Sequence, residues 1–262
     1  MSARAAACAG SMAGLPVIHI EAGVRSGDLK NPWPEEEARV TIDQLASWHF
    51  CATEANAANL AADLVQRAGG YPHVHVVGNP GIDALYENVT PQTVRLRRVL
   101  VTLHRRESFG EPFKAIVSGL LEAARLLPEW EFVLFTHPNN QSWRALSAHA
   151  TWSPNLLASA PADPPDFQRL LARSRAVLTD SGGVQEEAAA LGIPCVIARD
   201  LTDRPESVAS GHAILAGRTS EGVRDGLIKA VRNGLNSTPF LGFGRGDASQ
   251  QIAEILAAHF GG

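Results

Sequence analysis

The residues best suited to chemistry lie in one stretch, VLTDSGGVQEEAAALGIPC at 177–195. It predicts a buried strand, a turn with Ser181 and a glycine pair (182–183), a helix and the start of another strand. The glycine pair lets backbone N–H groups approach a ligand, and the following helix directs its positive dipole end to the same place. That arrangement suits phosphate, and Glu186 or Glu187 could reach sugar hydroxyls. An ordinary strand-to-helix turn with an acidic first turn is the alternative, because such turns are common.

Two more groups of ionisable residues follow predicted strands in the same half of the chain. His104 and Arg105 stand in TLHRRES, directly after a buried strand, where a histidine and arginines could bind an anion. The alternative is a solvated basic turn. His137 in FTHPNN follows the next strand, where it could equally be a capping residue.

The amino-terminal part carries acidic residues in comparable positions. Glu21 in HIEAGVRSGD lies at the carboxyl end of a short strand, which is where ligands bind in open α/β sheets. A loop ion pair between Glu21 and Arg25 is the alternative. Glu35 opens PEEEAR, and proline followed by acids is also simply a favourable helix start.

The composition narrows the class of protein. The 262 residues are 45% hydrophobic and 19% charged, as expected for a globular α/β protein. A net charge of −4 gives no reason to expect nucleic acid or an anionic membrane as the main partner. Three dispersed cysteines form neither a disulfide framework nor a zinc motif, which favours a reducing cytoplasm. No apolar run approaches the ~20 residues of a membrane span.

Short apolar strands alternate with amphipathic helices along the chain, which predicts parallel sheets covered by helices. The polar segment 86–98 interrupts this alternation and separates a first domain at 1–88 from a second at 89–246. The second domain has about six strand–helix units and the first about three. We therefore expect the first domain to be incomplete, because doubly wound domains usually have five or six strands.

The candidate residues of the second domain share a position at the carboxyl ends of strands, so they should face one crevice. Glu21 and Glu35 of the first domain could face them. A diphosphate site on one wall and paired carboxylates on the other indicate a sugar-nucleotide enzyme. The residues in the second domain are His104, Arg105, His137, Ser181 and Gly182.

Ordered motifs across nearly the whole chain closely resemble those of the UDP-N-acetylglucosamine 2-epimerases, especially the bacterial non-hydrolysing type. The motifs are HIEAGVRSGD, PWPEEEAR, NLAADL, GNPGIDAL, VTLHRRESFG, LTDSGGVQEEAAALGIP, RDLTDRPE and GDASQQI. The resemblance implies two Rossmann-like domains as in GT-B glycosyltransferases, with the active site in the cleft between them. It also implies that the final helix, 247–262, packs back on the first domain.

The resemblance further implies roles for individual residues. Glu21, Glu35 and His104 would be catalytic. The substrate-binding residues would be Arg25, Arg105, His137, Phe167, Ser181, Gly182, Gly183, Glu187 and Arg204, with His104 and Arg105 by the diphosphate, Glu187 on the ribose and Arg204 supporting the same pocket.

The implied reaction eliminates UDP across C1–C2 of the sugar and adds it back with the proton delivered from the opposite face. It requires a clamp on the leaving diphosphate and acid/base groups near C2. No cofactor and no metal are expected. UDP-N-acetylglucosamine and UDP would be the ligands, and a cytoplasmic homodimer serving polysaccharide biosynthesis is the expected setting.

Some residues depart from the family pattern. Ala38 stands where asparagine is usual, and Phe243 and Arg245 stand where tyrosine and aspartate are common. A family motif with a third carboxylate would precede residue 1, so we expect an amino-terminally truncated chain whose activity is uncertain. A UDP-sugar glycosyltransferase of the same architecture and a non-catalytic UDP-binding remnant are the alternatives.

Overall fold

The computed structural model describes residues 2–63, 73–105, 108–136, 153–232 and 234–261. The strands are β1 Ile18–Ile20, β2 Trp48–Cys51, β3 His73–Val76, β4 Leu96–Thr102, β5 Glu131–Phe135, β6 Leu156–Ser159, β7 Ser174–Thr179, β8 Cys195–Ile197 and β9 Ala213–Leu215. All strand pairs within these ranges are parallel, which confirms the predicted α/β class.

The helices alternate with the strands as the apolar periodicity predicts. They are α1 Ser2–Met12, α2 Glu35–Leu45, α3 Glu54–Asp63, α4 Pro80–Asn88, α5 Glu111–Leu126, α6 Pro164–Ala172, α7 Gly182–Leu191, α8 Pro205–Ala209, α9 Ser220–Val231 and α10 Ala248–Phe260. A short 3-10 turn at Leu241–Phe243 precedes α10. Within the described ranges, no helix is both long and apolar enough to span a membrane.

The chain divides into two compact units. Unit 1 comprises Met1–Ala84 and Leu241–Gly262, and unit 2 comprises Leu85–Phe240. The division falls inside α4, and α10 belongs to unit 1 although it closes the sequence.

Unit 1 is built on a three-stranded sheet of order β1-β2-β3. Trp48 and Phe50 of β2 pack against Ile252 of α10 in one apolar cluster. Cys51 packs against Leu60 of α3 in another. Because side chains of a strand alternate between its faces, the sheet is covered by α10 on one side and α3 on the other.

Unit 2 is a six-stranded sheet of order β6-β5-β4-β7-β8-β9. Counted from β4, this is the 3-2-1-4-5-6 order of a doubly wound nucleotide-binding fold, whose strand order reverses between β4 and β7. The central strands are Val- and Leu-rich, and residues 99–101 of β4 and 176–179 of β7 are fully buried, as expected for strands covered on both faces. Ligands of such sheets bind at the carboxyl ends of the strands beside this reversal.

The first residue of β4 differs from the sequence expectation. The apolar residues predict a strand over Val99–Leu103, but β4 begins at Leu96, because Leu96 pairs with Ser174 before a register shift brings Val99 opposite Ala176. The sequence also predicts a helix over 54–68, of which α3 covers Glu54–Asp63, and the remaining positions lie outside the described residues.

Gly192 shows why α7 ends where it does. It has φ +66°, and a β-carbon there would stand 2.6 Å from the Ser237 carbonyl oxygen, so only glycine fits.

Candidate functional site

A cavity of about 340 Å³ opens at the carboxyl ends of β4, β5 and β7, beside the reversal of strand order in unit 2. Its size falls in the usual range for small-molecule sites, which is about 300–1,000 Å³. The cavity is bordered by the end of β4, the end of β5, one side of α6 and the first turns of α7. The residues on its wall include His104, Phe135, Phe167, Ser181, Gly183 and Glu187.

The amino terminus of α7 forms one part of this wall. Ser181 is the N-cap residue, its own N–H donates to Thr179 Oγ1 over 3.0 Å, and the helix begins at Gly182. A β-carbon at Gly183 would meet nothing within 4 Å, so the backbone there borders open space. The free N–H groups and positive end of a helix favour an anion at this point.

Asp180 fixes the loop after β4 beside that helix terminus. It is fully buried and accepts the N–H groups of His104 at 3.0 Å and Arg105 at 3.0 Å, and the Ser108 hydroxyl at 3.1 Å. The His104 Nδ1 lies 3.4 Å from Asp180 Oδ1, while 43% of the His104 side chain stays exposed. The loop is therefore anchored from the neighbouring strand and is not a free basic turn.

The structure distinguishes the two adjacent acids of α7. Glu186 is buried and pairs with Arg204, whereas Glu187 faces the cavity. Gln168 Nε2 donates to Glu187 Oε1 over 2.8 Å. Burial raises the pKa of Glu187, the bond from Gln168 opposes that rise, and the charge of Glu186 adds to it.

Arg204 lies behind the helix terminus. A β-carbon at Gly182 would come within 3.4 Å of the Arg204 guanidinium carbon, so Gly182 lets this buried ion pair approach the first turn of α7. Arg204 therefore supports the helix from behind.

Aromatic residues form the other side of the cavity. The rings of Phe135 and Phe167 meet edge to face with centroids 5.5 Å apart. His137, which the sequence analysis also selected, lies outside the described residues.

In unit 1, Glu21 follows β1 with φ +63° and an exposed side chain. Asn79 Nδ2 donates to Glu21 Oε1 over 2.9 Å. The ion pair considered between Glu21 and Arg25 is wrong. Arg25 instead binds Asp43 over 2.7 Å and Asp63 over 2.8 Å.

Asp43 is the centre of that network. It is fully buried, and His19 Nδ1 lies 2.5 Å from its Oδ1. Burial acts to raise the pKa of Asp43, but the hydrogen bond and charge of His19 and those of Arg25 outweigh it and hold the pKa below its usual value. The Gly23 N–H also points to Asp43 Oδ2 at 3.3 Å, so the network shapes the turn after Glu21.

The acids at the start of α2 have separate surroundings. Glu36 is buried and accepts the Ser26 N–H over 2.8 Å, which ties down the preceding loop. Glu37 pairs with Arg4 over 3.1 Å. Glu35, the residue selected from the sequence, has an exposed side chain.

The sequence motifs did not point to several residues that position the site. They are Asp180, Gln168, Asp43 and Glu36. A signal for Asp180 existed, since an acid ending a buried strand beside the β4 loop can accept that loop's N–H groups. The other three depend on pairings between distant segments.

The six-stranded unit, with a cavity at the reversal of its strand order, defines an α/β protein of the Rossmann-like class. The sequence profile of the family described as UDP-N-acetylglucosamine 2-epimerase matches residues 1–257. The chain belongs to this family. The UDP-N-acetylglucosamine 2-epimerase of Yersinia pestis is 35% identical over 97% of this chain and 72% of its own length.

Solved structures agree in fold. The UDP-GlcNAc 2-epimerase of Neisseria meningitidis, bound to UDP-GlcNAc, has a TM-score of 0.85 at 31% identity, over 97% of this chain and 73% of that one. The enzyme of Methanocaldococcus jannaschii, in complex with UDP-GlcNAc and UDP, has a TM-score of 0.84 at 29% identity, over 98% and 73%. These likenesses confirm the GT-B-like α/β fold expected from the sequence.

Proposed function

We propose that this chain interconverts UDP-N-acetylglucosamine and UDP-N-acetylmannosamine by inverting C2 of the sugar. The observation that carries the proposal is the cavity at the reversal of strand order, in a chain of this family. A helix amino terminus, an imidazole and an acceptor carboxylate meet there. These groups suit the diphosphate and the ribose of a nucleotide.

The proposal gives each part of the cavity a ligand group. The first turn of α7, with Ser181, Gly182 and Gly183, and the His104–Arg105 loop bind the diphosphate. Glu187 accepts a ribose hydroxyl. Phe167 provides an apolar wall for the uracil ring. We also propose that His137 and Arg204 take part in nucleotide binding and that Arg25 contacts the substrate.

The low acidity of the hydrogen on C2 of the sugar determines the chemical route. The hydrogen on C2 is not acidic, so a direct deprotonation and reprotonation is too slow. Removing the C2 proton while the C1–oxygen bond breaks sends the electron pair into a C1–C2 double bond and releases UDP. Re-addition of UDP to C1, with a proton delivered to the opposite face of C2, gives the epimer. Glu21 and Glu35 are proposed to exchange these protons, and His104 to stabilise the charge on the departing diphosphate.

The test is incubation with UDP-N-acetylglucosamine and no acceptor, followed by proton NMR. The proposal predicts UDP-N-acetylmannosamine as the product. Glu35→Gln should abolish its formation, whereas Glu37→Gln, an exposed acid two residues further on, should leave it intact.

Other outcomes distinguish the alternatives. Free UDP with free N-acetylmannosamine would mean a hydrolysing enzyme. UDP binding without turnover of the sugar would contradict the proposal and leave a non-catalytic binding protein. A transfer reaction that requires an added acceptor would indicate a glycosyltransferase, which the family membership does not favour.

The setting of the reaction is also part of the proposal. We infer a cytoplasmic homodimer that supplies a sugar nucleotide for polysaccharide biosynthesis. Light scattering coupled to gel filtration tests the dimer, and a monomeric mass at micromolar concentration would contradict it.

A further inference from the structure

A line of three polar side chains runs from the end of α4 to the cavity. Asn88 Nδ2 donates to Gln168 Oε1 over 2.9 Å, and Gln168 Nε2 donates to Glu187 Oε1 over 2.8 Å. Gln168 is 5% exposed, so it lies behind the wall that Glu187 forms. All three belong to unit 2.

The carboxylate sets the direction of these bonds. An ionised carboxyl group only accepts hydrogen bonds, so the amide of Gln168 must turn its NH2 group towards Glu187. Its oxygen then faces Asn88, which must present its own NH2 group. The bond from Asn88 therefore stabilises the amide orientation in which Gln168 donates to a charged Glu187.

The consequence concerns the second carboxylate oxygen. Within the described residues, Gln168 supplies the hydrogen bond to Glu187 Oε1, and Oε2 is left for a donor in the cavity. The bond also opposes the rise that burial causes in the pKa of Glu187, which favours the acceptor form. A ribose hydroxyl is a donor of the required kind, and a 2′-deoxyribose offers one fewer.

We propose that Gln168, oriented by Asn88, is a positioning residue that aims Glu187 at the ribose 2′-hydroxyl and makes the pocket select ribonucleotides over 2′-deoxyribonucleotides. This inference rests on the proposed binding of UDP in the cavity. It adds a basis for selectivity in two residues that do not touch the nucleotide.

The test compares the affinities of UDP and 2′-deoxy-UDP by calorimetry in four proteins. The wild type should bind UDP at least about 10-fold more tightly, as expected for a hydrogen bond to a charged group. Gln168→Met keeps the side-chain volume and removes the donor, and the preference should fall to within about 3-fold.

Asn88→Asp tests the direction of the bonds. An aspartate can only accept, so it should turn the Gln168 amide around and place its oxygen against Glu187. The preference for UDP should fall although Gln168 is still present. Ser174→Ala is the matched control, because it removes a part-buried 2.7 Å bond to the carbonyl of Leu170 in α6 and does not contact Glu187.

The ratio of the two affinities separates positioning from general damage. A loss of stability alone would weaken the binding of both nucleotides equally and leave the ratio of their affinities unchanged. This is the result expected for Ser174→Ala. The inference is overturned if the wild type does not discriminate or if Gln168→Met keeps the full ratio. If the wild type binds neither nucleotide, the proposed function fails first and this inference fails with it.

Discussion

Replacing Asp180 with asparagine should loosen the loop that carries His104 and Arg105. The carboxylate is fully buried and accepts two backbone N–H groups and the Ser108 hydroxyl. Asparagine has nearly the same shape but keeps only one acceptor oxygen, and its NH2 group must face at least one of these donors.

The structure sets the size of the effect. Each hydrogen bond to a charged acceptor contributes about 1.5–3 kcal/mol, and a buried donor left without an acceptor costs a similar amount. The bonds share one acceptor and are not additive, so we expect Asp180→Asn to lower the free energy of unfolding by about 3 kcal/mol. If about 1.4 kcal/mol of this loss favours an open loop that does not bind UDP, the affinity for UDP falls about 10-fold.

Urea unfolding and UDP calorimetry measure the two effects. Ser108→Ala is the control, because it removes one donor and leaves both backbone contacts with Asp180. We expect it to cost about 1.5 kcal/mol, the lower end of that range, and to change UDP affinity less than 3-fold. If Asp180→Asn unfolds and binds UDP like the wild type, the anchoring role of Asp180 is wrong.

Two further predictions concern the wall of the cavity. Gly183→Ala should leave the fold as stable or more stable, since its β-carbon meets nothing within 4 Å, but it should weaken UDP binding because the methyl group occupies the ligand's space. Thermal unfolding measures the stability and calorimetry measures the affinity. An unchanged affinity would contradict the proposed position of the diphosphate. Glu187→Gln should raise the unfolding midpoint of the ligand-free protein at neutral pH and weaken UDP binding. Burial raises the pKa of Glu187 in the folded state, which costs stability above that pKa, and the cost disappears as the pH falls through it. The difference in unfolding midpoint between Glu187→Gln and the wild type should therefore shrink as the pH is lowered. A difference that stays constant with pH would refute this reasoning.

Local sequence patterns determined which elements form. Runs such as VLVT and AVLT are apolar and rich in β-branched residues, so β4 and β7 could be predicted with the residues that follow them. Parallel strands place those following residues at one edge, which is why His104 and Ser181 were expected together and line the same cavity.

Contacts between distant segments could not be predicted in this way. Arg25 binds Asp43 and Asp63, at 18 and 38 positions along the chain, and not the nearby Glu21. Which of two adjacent acids faces the cavity depends on the rotation of α7 against the sheet. Packing buries Glu186 and presents Glu187, whereas the residue spacing left both open and only the family resemblance selected Glu187.

Exchange of the C2 hydrogen of UDP-N-acetylglucosamine in deuterated water, followed by proton NMR, reports directly on the proposed removal of the C2 proton. The account predicts that this chain replaces the C2 hydrogen with deuterium and that Glu35→Gln does not. Loss of the C2 signal shows that the carbon–hydrogen bond is broken, and its persistence with Glu35→Gln assigns that step to Glu35. A C2 signal that stays at full intensity while calorimetry shows UDP bound would contradict the epimerase account.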